Sequence, residues 1–200
     1  LKSFFTSFTI VTIVGAVRML FKRVFEMSDL EFLIENTRFN LNQNLPQIEI
    51  CGEKIGPFNQ GTTIELPRWV CDKLEEQGYG SKSEDTPSIV WISKLAWSES
   101  RSQAMTSLEP LFYAKLRKMI KTLRQKANQS SDPAVHKDYE VVYMYALDLI
   151  TSRLQKIVKA SLMAPGKLEA IPNATDEEKF LFIVLSKLIN SWSKAILEVE

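Results

Sequence analysis

Few residues in this chain could perform chemistry. His136, in SSDPAVHKDYE, is the sole histidine, which rules out a zinc site of several histidines and leaves a histidine-based triad only this one residue to build on. Its place beside an expected helix start suits a surface side chain. Cys51 and Cys71 form no C-x-x-C pair and read as small buried hydrophobes of a reducing compartment. Arg68 makes the setting of Cys71 electropositive, which could activate a thiol, but packing is the simpler reading. Carboxylates gather in EDTPS and TDEE, where a linker and a helix cap account for them without a metal. A glycine-rich phosphate loop, a nucleophile elbow and H-E-x-x-H are all absent. No catalytic, cofactor-binding or metal-binding residue is assigned, and the chain reads as a non-enzyme.

The elements that would position such residues are well marked. With 200 residues, 45% hydrophobic and 24% charged, the chain can bury a real core in one or two domains. The net charge of +1 favours no partner class, but its distribution is uneven. Residues 1–26 carry four basic and one acidic side chain, 27–80 four and nine, and 88–200 sixteen and twelve. An acidic front and a mildly basic back suggest two surfaces with different partners.

Residues 1–26 form an apolar leader. Its uncharged run from Phe4 to Val17 is about fourteen residues, short of the roughly 18–20 that cross a bilayer. Stretched to Phe21, with Arg18 snorkelling, it could serve as a membrane anchor, and the chain would be a membrane-anchored helical regulatory protein. The other reading, which is the expectation, is an assigned upstream start, with the natural protein beginning at Met27 and needing no membrane. Residues 27–77 read as a small β-rich domain. LEFLIEN and TRFNLNQ are expected strands, with Phe39 and Leu41 on one face and Asn40 and Asn42 on the other. QIEICGEKIGPF reads as a hairpin turning at Gly52, Glu53 and Lys54. Gly56 and Pro57 end a strand, Asn59 to Gly61 turn, and TTIEL returns. Pro67 is placed at the first position of a helix over RWVCDKLEEQG, with Trp69, Val70 and Leu74 packing it on the strands.

GYGSKSEDTPS, residues 78–88, reads as a linker, and residues 89–200 as an α-helical domain. The fold class is therefore α+β, a small N-terminal β-rich domain linked to a C-terminal all-α bundle. In LEPLFYAKLRKMIKTLRQKA the positions Leu108, Leu111, Phe112, Leu116, Met119, Ile120 and Leu123 keep the spacing of a buried face. Lys115, Arg117, Lys118, Lys121, Arg124 and Lys126 fall on its outward side, a candidate basic surface for phosphates or an acidic partner. Tyr143, Leu147, Ile150, Leu154 and Ile157 trace the next buried stripe, with Val142, Ala146 and Leu149 widening it. Thr175 stands three residues before Glu178, a capping box. The helix that follows has one line of Phe182, Ile189 and Ile196 and a second of Leu181, Leu185, Leu188 and Trp192. Two such lines suggest a subunit interface. Asp148 and Arg153 are five apart on one helix, so each is expected to bond across helices.

GPFNQGTTIELPRWVCDKL resembles a segment of GINS subunits that place the small β domain first. The shared residues are Gly56, Pro57, Phe58, Asn59, Gly61, Glu65, Pro67 and Trp69. EPLFYAKLRKMIKTLR is similar to that family's proline and paired-aromatic helix start, and DLITSRLQKIVKAS to its Asp, Arg and Lys pattern, here Asp148, Arg153 and Lys156. The likeness runs in order from Leu30 to about Ala160, and its mixed motifs resemble an archaeal subunit. It implies a non-catalytic scaffold without cofactor in chromosomal DNA replication. The implied assembly is a tetramer with other GINS subunits, linking the MCM helicase to a RecJ-like partner. Any DNA contact would be weak or indirect, and the implied location is the cytoplasm, associated with the nucleoid.

Overall fold

The structure, a computed structural model, describes residues 2–83 and 88–197, with side chains from residue 15 onward. The fold is α+β, strands between residues 36 and 82 being followed by helices. Two compact units divide it, Leu1–Thr86 and Pro87–Glu200.

The first unit opens on helix α1, Lys2–Ile34. This corrects the strand expected over LEFLIEN. Phe21, Val24, Phe25, Ser28, Asp29 and Phe32 are half-buried or buried at steps of three and one, which is a helical period and not a strand's. A short apolar cluster suits either element, and here the helix wins because Phe32 packs under Arg68, whose guanidinium lies 4.2 Å from the ring centre.

Strand β1, Asn36–Leu41, is central in a three-stranded antiparallel sheet between β4, Thr63–Pro67, and β5, Gly80–Lys82. Its alternation buries Thr37, Phe39 and Leu41, while Ile64 and Leu66 point inward from β4. Helix α2, Arg68–Glu76, closes the unit by laying Val70, Cys71 and Leu74 on that face. Trp69 is an exception to the expected packing, being 40% exposed. Pro67 ends β4 and occupies the cap position, one residue earlier than predicted.

The hairpin of β2, Ile48–Ile50, and β3, Glu53–Ile55, is tighter than expected. Its turn is Cys51–Gly52, both at positive φ (52° and 87°), so Glu53 and Lys54 belong to a strand. That pair of left-handed residues is the type I′ geometry whose twist matches the strands it joins.

Strand β5 falls inside the stretch read as a linker, of which residues 84–87 lie outside the described residues. Gly80 is what lets it pair. A Cβ there would sit 2.0 Å from the Asn40 carbonyl oxygen and 2.8 Å from the Phe39 ring. Gly80→Ala is expected to cost about 1–3 kcal/mol of the first unit's stability, read by urea denaturation, because the backbone cannot yield as a side chain would.

The second unit is helical. Its elements are α3, Ile89–Arg101, α4, Phe112–Gln129, α5, Pro133–Met163, and α6, Asp176–Leu197, with a 3-10 turn over Leu168–Ala170. Ser88 caps α3 by accepting from the Trp91 N–H, and Asp132 caps α5 by accepting from the Ala134 N–H. The capping box of α6 forms as the spacing predicts. The Thr175 N–H donates to Glu178 Oε2 at 2.9 Å, and the Glu178 N–H to Thr175 Oγ1 at 3.4 Å. Two cores follow one another along α5. Ile92, Phe112, Leu116, Val142 and Leu149 make the first, and Met105, Ile157, Ile171 and Phe182 the second.

Candidate functional site

The family-like residues occupy separate units. Phe58 pairs with Leu45 through two backbone bonds of 2.9 Å, Gly61 donates to the Leu41 carbonyl at 2.8 Å, and Glu65 meets Arg38 at 3.2 Å. Gly56 takes a φ of 93° ahead of Pro57, and the Asn59 carbonyl accepts from Thr62. These residues shape a turn and a strand. Cys71 is fully buried beside them, and burial pushes its thiol up to about 11, so it is un-ionised at neutral pH. Cys51, read as buried, is exposed at its hairpin tip.

In the helical unit, Arg153 and Lys156 converge on one buried acid. The Arg153 guanidinium spends its five donors on five bonds. Nε and Nη2 grip Glu178 at 2.5 and 2.7 Å, Nη1 reaches Glu99 Oε2 and the Thr106 carbonyl at 2.9 Å, and Nη2 also reaches the Asn173 carbonyl at 3.1 Å. Lys156 Nζ donates to Glu99 Oε1 at 2.5 Å and to the Glu99 and Ala104 carbonyls at 2.7 and 3.0 Å. Tyr113 donates its hydroxyl to Glu178 at 2.6 Å. Two cations thus meet two anions, with every donor of both cations used.

Burial alone would raise the Glu99 carboxyl, but Lys156, Thr106 and Arg153 outweigh it and hold it below the usual range. Burial works against the Arg153 charge in the same way, and its bonds to Glu178 more than restore it. Burial, reinforced by Glu178, drives the Tyr113 phenol far above its ordinary value, so it stays protonated and donating. Glu99, Arg153 and Glu178 are buried and spend their charges on one another, while Lys156 is partly exposed at the edge of the cluster. Its chemistry is that of a lock joining α3, α5 and the start of α6.

Asp148 was expected to bond across helices as Arg153 does. It is exposed on α5 and makes no such bond among the described residues. Glu99 was not foreseen. Its signal was present, because Ile92, Ala96 and Glu99 follow the four-and-three spacing of a buried face, which placed a carboxylate inside.

The basic row is also narrower than read. Lys115 is tied to Glu109 at 2.7 Å, and Arg117 and Lys118 are half-buried, leaving Lys121, Arg124 and Lys126 exposed. His136 is exposed, its Nε2 3.0 Å from the Ser130 carbonyl. No three potential metal ligands stand together among the described residues, and Glu84 and Asp85 lie outside them.

The apolar surface is where the reading of α5 reverses. Its buried line is Val142, Ala146, Leu149, Arg153 and Ile157, so the three residues expected to widen the stripe lead it, and of the expected stripe only Ile157 is buried. Tyr143, Leu147, Ile150 and Leu154 are exposed, with Leu147 at 53%. On α6, Phe182 is fully buried in the second core, so it is no surface residue; Leu181, Leu185 and Ile189 are half-buried. Leu188, Trp192 and Ile196 are open, Trp192 at 67%. By length and composition α6 could cross a bilayer, yet Phe182 and Glu178 hold its first half in a protein core.

No family model matches the chain. Human DNA replication complex GINS protein PSF2 is similar, 24% identical over 98 residues, which are 48% of this chain and 53% of that protein. The chain thus matches about half the length of that relative. The similarity is weak and supports a GINS family relationship.

Proposed function

We propose that the chain is a non-catalytic scaffold subunit of GINS type acting in chromosomal DNA replication. The observation that carries this reading is the exposed apolar line on α5, Tyr143, Leu147, Ile150 and Leu154, together with Leu188, Trp192 and Ile196 on α6. Apolar surface costs about 25 cal/mol for each Å² left in water, and patches of this kind mark protein contacts. The similarity to PSF2 names the kind of neighbour that would cover them, another GINS subunit. In this reading the lock around Arg153 keeps the helices in the geometry a partner needs. The tetramer, the link from MCM helicase to a RecJ-like partner, the archaeal character and the nucleoid location are the finer parts of the proposal and rest on the family resemblance. The division into a β-rich and a helical domain about residues 78–88 belongs to it as well.

Co-expression with a candidate GINS partner tests the reading. Leu147→Asp with Leu154→Asp is expected to leave the far-ultraviolet helix signal unchanged and to abolish co-elution at micromolar concentration. A fully assembled complex of the double variant would place the interface elsewhere.

A further inference from the structure

Helix α3 has a second face that neither its core nor the proposed subunit contact uses. Val90, Lys94, Trp97 and Arg101 follow steps of four, three and four, so they share one line of the helix, about 16 Å long. All four are exposed, Val90 at 58% and Trp97 at 60%. The Arg101 guanidinium lies 4.2 Å from the Trp97 ring centre, which orders both side chains in advance of any partner.

The charge on this face has one sign. Glu99 is the sole acid of α3, and it points inward to Arg153 and Lys156. Neither Lys94 nor Arg101 is paired with a carboxylate among the described residues. Ser93 and Ser100 turn their hydroxyls back to the Val90 and Trp97 carbonyls, at 3.1 and 2.9 Å. What remains outward is two cations with no carboxylate partner among the described residues, an indole that one of them covers, and an apolar end. Tryptophan and arginine, with tyrosine, are enriched at the energetic centre of protein contacts.

We infer that this line docks an acidic amphipathic helix of a partner protein. Carboxylates of that helix meet Lys94 and Arg101, Arg101 being able to take one bidentately, and its apolar side chains pack on Val90 and Trp97. A nucleic acid strand fits less well. Two cations neutralise at most two phosphates, Arg101 already covers one face of the indole, and Val90 has nothing to meet on a sugar-phosphate backbone.

A fluorescein-labelled peptide of about sixteen residues, leucine at two positions of each heptad and glutamate at the flanking ones, tests this on the full chain. The expected dissociation constant is on the order of tens of micromolar, weakening as salt is raised. Trp97→Ala and Arg101→Glu should each weaken it roughly tenfold or more with unchanged circular dichroism. The same peptide with lysine for glutamate, and an oligo-dT of similar length, should not bind. Absence of binding by the acidic peptide, or equal binding by both variants, overturns the proposal. So does oligo-dT binding lost in the same two variants, which would make the face a nucleic acid contact.

Discussion

Replacing Arg153 with methionine is expected to lower the stability of the helical unit by about 3–5 kcal/mol, measured by chemical denaturation. The side chain is 1% exposed, and its loss strips Glu178 of both charge-assisted bonds and the Thr106 and Asn173 carbonyls of a donor. Lysine at this position should recover only part of the loss, since three donors on a flexible stem cannot replace a five-donor fork. A loss under about 1 kcal/mol would mean that the surrounding carboxylates find other partners. Acid should act on the same cluster through Glu99. Its folded-state carboxyl sits below the ordinary value of 4.5, so its contribution is complete above that pH and is lost as pH falls further, through the folded value. Variants lacking Arg153 should show a shallower acid transition.

Phe182→Asp is expected to leave the helical unit unfolded. Phe182 is fully covered by Met105, Ile157 and Ile171, truncating such a residue costs about 3–5 kcal/mol, and an unpaired buried charge adds to it. That sum rivals the stability of an ordinary domain, about 5–15 kcal/mol. Leu188→Asp with Trp192→Asp on the same helix should change stability by only about 0.5 kcal/mol for each exposed site, while removing association with a GINS partner. Circular dichroism paired with size-exclusion chromatography separates the two outcomes. A folded Phe182→Asp chain would show that the second core repacks around the helix end.

What could be read in the residues, and what could not, follows from the range of each signal. The strand at Phe39 and Leu41, the α4 face from Phe112 to Met119 and the Thr175–Glu178 box are local patterns, and each stands where its spacing put it, whereas Leu108 and Leu111, read on the same face, precede the helix. Strand β5 has no such pattern. Gly80, Ser81 and Lys82 carry no apolar alternation, and only the close approach to Asn40 explains the glycine. On α5, two apolar lines lie roughly 90° apart around the helix, and periodicity cannot say which faces inward. Arg153 decides it, because a guanidinium with partners on α3 and α6 must lie on the buried line. Those partners are 54 and 25 residues away, beyond any local pattern.

The place of α5 has a consequence for synthesis on the ribosome. Both α3 and α4 pack on it, yet both precede it in the chain. They emerge with Ile92, Phe112 and Leu116 uncovered and with Glu99 lacking Arg153 and Lys156. The first unit has all its strands once Lys82 is out, whereas the helical unit must wait for α5 and then for Glu178. Nascent chains paused before about residue 160 would therefore expose an apolar, acid-bearing surface, the state in which a ribosome-bound chaperone or a co-translating partner has most to offer.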